Sequence, residues 1–310
     1  MEGFVGAALA AAALPSFGHT MSSASFAAEE GVPFSVSVML WTVFRNLPYA
    51  QRLEKVSEAG YHAVELVDEF KDWTQEDFAA ARRKKSELKL EIDATAGVWH
   101  TLADANDRDP FLKSVREFVP ILNELECSKL ILQSGDKVLG LSREQMRANC
   151  IETLKRAGDI ADRQKIEILV ENIDPEENPN YFVTSSAEGF QMIRAVGNPH
   201  IKFLYDFFHQ QIAEGNLIAN LQKNMDVIGL LHVADVPGRH EPGTGEINYP
   251  VIFHKLGELG YSGFVAMEFK PTGEVIPALC AARQMALSSG RANKKSAMSP
   301  VNLRRLYAAS

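Results

Sequence analysis

Residues 166–172 read Ile166-Glu167-Ile168-Leu169-Val170-Glu171-Asn172, a β-rich apolar run that closes on a carboxylate. The form returns in Ile201-Lys202-Phe203-Leu204-Tyr205-Asp206, in Val227-Ile228-Gly229-Leu230-Leu231-His232 and in Phe264-Val265-Ala266-Met267-Glu268. Toward the N-terminus lie four more β-rich runs, at 34–40, 63–67, 90–94 and 129–133. Amphipathic stretches separate them. One covers 49–59 and stops at Gly60, and another covers 250–259 and stops at Gly260. Ser142-Arg143-Glu144-Gln145 has the form of a capping box opening a helix to about Arg163, and Ser185-Ser186-Ala187-Glu188 has the same form. Eight β runs alternating with helices over roughly 240 residues predict a single-domain α/β fold, the (β/α)8 TIM barrel. A doubly wound sheet would want a Gly-rich phosphate turn after its first strand. Trp41-Thr42-Val43-Phe44-Arg45 stands there instead.

In a barrel, polar residues at the C-terminal ends of strands project into the active site. Glu171, Asp206, His232 and Glu268 occupy that place on the fifth to eighth strands. Taken singly, each has a plain structural reading: a solvated loop acid, a helix N-cap for Asp206, or a satisfied core histidine. Four in succession, at the same place on each unit, are hard to explain that way. Three converging carboxylates repel one another, so a divalent cation is the natural partner. Carboxylate oxygens with one imidazole suit Mn, Mg or Co better than a structural zinc, which favours thiolates.

The chain has 310 residues, 46% hydrophobic and 23% charged, with a formal net charge of -8. That balance excludes disorder and a collagen repeat, and argues against a nucleic-acid partner, which usually leaves a basic footprint. Three widely spaced cysteines, Cys127, Cys150 and Cys280, form no disulfide framework or zinc motif and read as buried thiols. The N-terminal run Phe4-Val-Gly-Ala-Ala-Leu-Ala-Ala-Ala-Ala-Leu-Pro15 is too short to span a bilayer. Residues 1–30 read either as a degenerate or truncated export signal or as a flexible tail, which leaves the location cytoplasmic or periplasmic. Residues 31–285 are assigned to the barrel and 286–310 to a basic extension. In the latter Arg291, Lys294, Lys295, Arg304 and Arg305 meet no acid from 291 onward.

The segment His232-Val-Ala-Asp-Val-Pro-Gly-Arg239-His-Glu-Pro-Gly-Thr-Gly-Glu246-Ile-Asn-Tyr249 resembles the loop after strand seven of the hydroxypyruvate isomerases. These belong to the xylose isomerase-like TIM-barrel superfamily, with the ketose 3-epimerases. Ala63-Val-Glu-Leu66, Val170-Glu-Asn172 and Tyr205-Asp-Phe-Phe-His209-Gln support the resemblance, which extends over 34–271. It implies that Glu171 and Glu268 are both metal ligands and the catalytic acid and base, with Asp206 and His232 as the other ligands. It further implies that His209 and Arg239 contact substrate oxygens and that Glu177 is an acidic substrate contact, although a surface acid in a Pro/Asn loop reads equally well. At His232 the chain departs from typical hydroxypyruvate isomerases, which often carry Gln there, and matches the 3-epimerases. Homo-oligomers, dimers or tetramers, are expected by analogy.

The chemistry implied is removal of a carbon-bound proton next to a carbonyl, with a divalent ion stabilising the enediolate and a carboxylate taking the proton. Conversion of hydroxypyruvate to tartronate semialdehyde leads, and 3-epimerisation of a ketose is the alternative. A non-catalytic sugar-binding barrel and a DNA-repair endonuclease on the same fold are weaker readings. The endonuclease would want more ligands and a basic groove. Trp41, Trp99 and His100 are candidate walls of the substrate pocket. The tryptophans read equally as core or rim residues, and His100 as a loop residue.

Overall fold

The computed structural model describes residues 31–291. Eight parallel strands close into one barrel in sequence order. They are β1 Ser35–Met39, β2 Ala63–Leu66, β3 Glu91–Ala96, β4 Lys129–Gln133, β5 Glu167–Glu171, β6 Ile201–Asp206, β7 Ile228–Val233 and β8 Phe264–Met267. The doubly wound alternative is excluded by the pairing of β8 with β1, Ser35 opposite Phe264 through Val38 opposite Met267. Helices α1 Tyr49–Glu58, α2 Gln75–Glu87, α3 Arg108–Leu125, α4 Arg143–Gln164, α5 Ser186–Val196, α6 Phe207–Ala213, α7 Leu217–Asn224, α8 Tyr249–Leu259 and α9 Val275–Ser289 connect them.

Two apolar layers hold this together. Side chains alternate along a strand, so each strand serves both. Ala63, Ala94, Ala96, Ile131, Leu169, Leu204, Leu230 and Phe264 fill the barrel interior. The intervening residues, such as Val64, Ile168, Val170 and Phe203, join the helices in a larger outer cluster. α3 shows how a helix joins that layer: Phe111, Leu112, Val115, Phe118, Val119, Leu122 and Leu125 recur at helical spacing and are all buried. Gly229 of β7 lets the interior close. A Cβ there would lie 2.6 Å from Leu169 Cδ2 and 2.9 Å from Glu167 Oε1.

Several local expectations need adjusting. Ser142 opens α4 with both halves of a capping box. Ser185 caps α5 by accepting from Glu188 N, but the Glu188 carboxylate is drawn away to Arg143. Asp206 serves as an N-cap, accepting from Phe208 N at 2.8 Å, while still facing the candidate site. Cys127 and Cys150 are buried, but Cys280 is exposed on α9, so the expectation of three buried thiols fails there. α9 runs to Ser289 with Ala286 and Leu287 buried, past the expected boundary at 285. The apolar run at 4–15 and the cations at 294, 295, 304 and 305 lie outside the described residues.

Candidate metal and active site

The four strand-end residues converge. One ligand atom from each of Glu171, Asp206, His232 and Glu268 lies within 4.8 Å of the others, and all four residues are buried. Register brings them together: Asp206 pairs with His232 across β6 and β7, and Val233 with Met267 just before Glu268. His232 reads the cluster through one ring nitrogen. Its Nδ1 is 2.6 Å from Glu268 Oε2 and 3.7 Å from Glu171 Oε1. Burial works against a charged imidazole, but Glu65 and Glu268 hold His232 well above its usual range.

The two glutamates differ sharply. Glu268 is surrounded by donors: Trp41 Nε1 at 2.8 Å and Arg239 Nη2 at 2.9 Å on Oε1, with the His232 ring on Oε2. Burial alone would raise its carboxyl, but Arg239 and His232 overcome that and hold it well below the ordinary carboxylate range. Among the described residues, the Glu171 carboxylate accepts no hydrogen bond, and its nearest cation is His232 at 3.7 Å. Burial pushes it to about 7, with Glu268 adding to the rise and His232 opposing it.

Arg239 arrives on the β7 loop, and the sequence of that loop explains its shape. The buried Asp235 carboxylate accepts from Gly243 N at 2.8 Å, Gly245 N at 2.9 Å and Ile247 N at 3.0 Å, winding the loop around itself. Gly245 has no substitute there, since a Cβ would sit 2.0 Å from Val236 O. Lys270 N donates to Arg239 O at 2.7 Å and fastens the loop to the segment after β8. Arg239 then spans the site: Nη1 reaches Glu177 at 3.0 Å, Nη2 lies 3.5 Å from Asp206, and its guanidinium lies over Phe208 at 5.0 Å and Trp41 at 5.5 Å. His209 Nε2 is 3.3 Å from Arg239 Nη1, and its Nδ1 is 2.6 Å from Asp174. Burial lowers His209, yet Asp206 and Asp174 bring it to about 9.

Of the ten sequence candidates, eight therefore share one constellation, counting Glu177, whose side chain is about half exposed. Trp99 and His100 line a cavity of about 370 Å³ with Thr101, Asp107, Gln133, Gly135 and Asp136, and Gln133 pairs in register with Glu171. The His100 ring nitrogens are engaged by Asp107 at 2.8 Å and Ser114 at 2.9 Å. Trp99 is 56% exposed, so it is a rim residue and not core. Sequence reasoning passed over Glu65, buried on β2 and 3.1 Å from His232 Nε2, and Asp174, the partner of His209. Glu65 lay inside the quoted Ala63-Val-Glu-Leu66, where a carboxylate in the middle of an apolar run was the signal.

The donor set fits a divalent ion. Three carboxylates and an imidazole converge, hard oxygens dominate, and among the described residues Glu171 has no hydrogen bond to satisfy it. A closed barrel with an acidic, histidine-containing mouth defines the class, and the comparisons agree. Residues 53–286 match the model of the xylose isomerase-like TIM barrel, and the chain belongs to that family. It is 30% identical over 246 residues to 2-oxo-tetronate isomerase of Haemophilus influenzae, covering 77% of this chain and 95% of that protein. It is 32% identical over 247 residues to a putative hydroxypyruvate isomerase of Danio rerio, covering 74% and 88%. A solved structure described as an AP endonuclease, family 2, from Brucella melitensis superposes with a TM-score of 0.72 at 27% identity, covering 80% and 96%. The chain is an enzyme of the isomerase class. Among the described residues, no helix is long and apolar enough to cross a membrane.

Proposed function

We propose that the protein isomerises a small 2-oxo-3-hydroxy acid, hydroxypyruvate or the homologue one carbon longer, by moving one proton from C3 to C2. Glu171, Asp206, His232 and Glu268 would hold a divalent ion, Mn, Mg or Co. The observation that carries the reading is the inequality of the two glutamates: Glu268 is bound by Trp41, Arg239 and His232, while Glu171 has no hydrogen bond among the described residues.

When bound, the ion polarises the substrate carbonyl and stabilises negative charge developing on its oxygen. Glu171 takes the C3 proton and, from the same face, returns it to C2, while the O3 hydroxyl proton passes to O2, so that the new aldehyde and the new hydroxyl balance. Arg239 keeps Glu268 ionised and in place, and with His209 forms a cationic edge for substrate oxygens. Trp41 holds Glu268 Oε1 through its indole N–H at 2.8 Å. An epimerase would need a second carboxylate to deliver a proton from the opposite face. Glu268 is less suited to that, because three donors already occupy it. His232 is the feature that keeps ketose 3-epimerisation as a second reading.

The test is proton NMR in deuterated water with the Mn-loaded protein. Hydroxypyruvate, 2-oxo-tetronate and a panel of free ketoses are the substrates. Conversion of either acid with solvent deuterium at C2 supports the proposal. Partial carry-over of a C3 label to C2 supports the single base. Exchange at C3 of ketoses with both acids untouched assigns the protein to the epimerases. A bound ion without turnover of any of them would make it a binding protein.

A further inference from the structure

Glu65 is a buried carboxylate that the proposed reaction does not use and that touches a proposed metal ligand. It stands on β2, fully buried, and reaches across the barrel to β7, where its Oε2 lies 3.1 Å from His232 Nε2. It is outside the group of four whose ligand atoms converge. Its other oxygen, Oε1, is also 3.1 Å from His232 Nε2, so the carboxylate straddles that nitrogen, with the hydrogen bond on Oε2. On the two strands that flank β2, Ser37 of β1 donates to Asp93 of β3 at 2.5 Å.

The His232 ring therefore has two distinct ends. Nδ1 faces Glu268 and Glu171, and Nε2 faces Glu65. An imidazole that binds a cation through Nδ1 carries its proton on Nε2, and a buried N–H needs an acceptor. Glu65 is placed to be that acceptor. Without it the ring could turn, or could carry its proton on the nitrogen the ion needs. We propose that Glu65 is a positioning residue: it holds His232 in the Nε2–H form with Nδ1 aimed at the ion, and so sets metal affinity from the opposite wall of the barrel. The inference rests on the metal-site reading above, and carboxylate partners of this kind change metal affinity by ~10–100-fold.

Mn binding is measured by calorimetry on the full chain and on Glu65→Leu and Glu65→Gln, with the visible spectrum of the Co-loaded forms. Glu65→Leu should weaken Mn binding by ~10–100-fold and alter the Co spectrum. Glu65→Gln, whose amide oxygen can accept the same hydrogen bond, should bind more tightly than Glu65→Leu. Unchanged affinity and spectrum in a folded Glu65→Leu overturn the role while leaving the metal site standing. Parent protein that binds neither ion overturns both. If Glu65→Leu does not fold, nitrogen-15 NMR of the Mg-loaded parent decides. A protonated Nε2 and bare Nδ1 on His232 support the proposal, and the reverse tautomer overturns it.

Discussion

Glu167 and Glu171 begin and end the same five-residue strand, four positions apart and therefore on the same face of it, yet the fold treats them in opposite ways. At the barrel floor, Glu167 has Lys129 of β4 at 3.6 Å. Lys129 also donates to Gly229 O at 3.2 Å and lies 5.8 Å over the Phe264 ring. At the mouth, Glu171 is more deeply buried and, among the described residues, has no lysine within 4 Å and no hydrogen bond; Glu268 and Asp206 surround it, His232 lies at 3.7 Å, and His209 and Arg239 act on it from farther off. A buried charge left without a partner is costly. The floor carboxylate has a lysine as its ion-pair partner, although its Oε1 makes no hydrogen bond among the described residues, whereas the mouth carboxylate is left for a ligand to settle. That difference, more than the presence of acids, separates a structural charge from a functional one in this barrel.

Removing each glutamate in turn is the strongest way to break the comparison. Glu171→Gln should lower kcat by at least ~100-fold, the scale of a lost general acid–base group, and Glu268→Gln should lower it to a similar extent by removing a proposed ligand of the ion. Glu167→Gln should leave kcat within a factor of ~2, as expected for a residue that touches no reacting group. More than a tenth of the activity left in both mouth variants would remove them from the chemistry. Arg239→Lys comes next. A lysine cannot contact Glu268, Glu177 and Asp206 together as the guanidinium does at 2.9, 3.0 and 3.5 Å. We expect kcat/KM to fall by ~10–100-fold, and a parent-like value would mean that the bridge is ornamental.

How far the sequence reached follows the same division. The strands were legible because each is a short apolar run between turn residues, and the observed bounds differ from the expected ones by a residue or two. Glu171, Asp206, His232 and Glu268 were legible because a barrel places strand ends at one mouth. Glu65 was not, because alternation says that it points inward but not that it meets a histidine 167 residues away. Asp174 was hidden in Asp174-Pro-Glu-Glu-Asn-Pro, which reads as a turn. Cys280 misled because an apolar-rich helix does not reveal which of its residues face solvent. Trp41 was open between pocket wall and core or rim, and its 2.8 Å bond to Glu268 had no signal in the sequence.

Stability sharpens the contrast. Mn at a hundredfold excess over its Kd should stabilise the folded chain by ~2.7 kcal/mol, raising Tm by ~5–10 °C for a domain of this size. A chelator should reverse the gain. Glu171→Gln should lose most of this increment and Glu167→Gln none of it. At the floor, Lys129→Met should cost ~1–2 kcal/mol by stranding Glu167 in a partly buried site. The change should read as a lower urea midpoint with kcat unaltered.

The smallest effect concerns Glu91, the first residue of β3. Burial pushes its carboxyl to about 7, with Lys85 and Lys129 pulling the other way, and its Oε1 has no hydrogen bond among the described residues. The folded chain therefore holds this proton more tightly than the unfolded chain, in which the ordinary value is 4.5. Stability from this group is complete below pH 4.5, falls as pH rises through the interval to about 7, and is level above that. Glu91→Gln should match the parent Tm below that interval and exceed it by a few degrees above neutrality. Saturating Mn should leave that difference unchanged, because the ion binds at the mouth and Glu91 opens a strand at the floor. A Glu91→Gln advantage that appeared in acid, or that vanished on adding Mn, would show that floor and mouth are one coupled electrostatic system and not two.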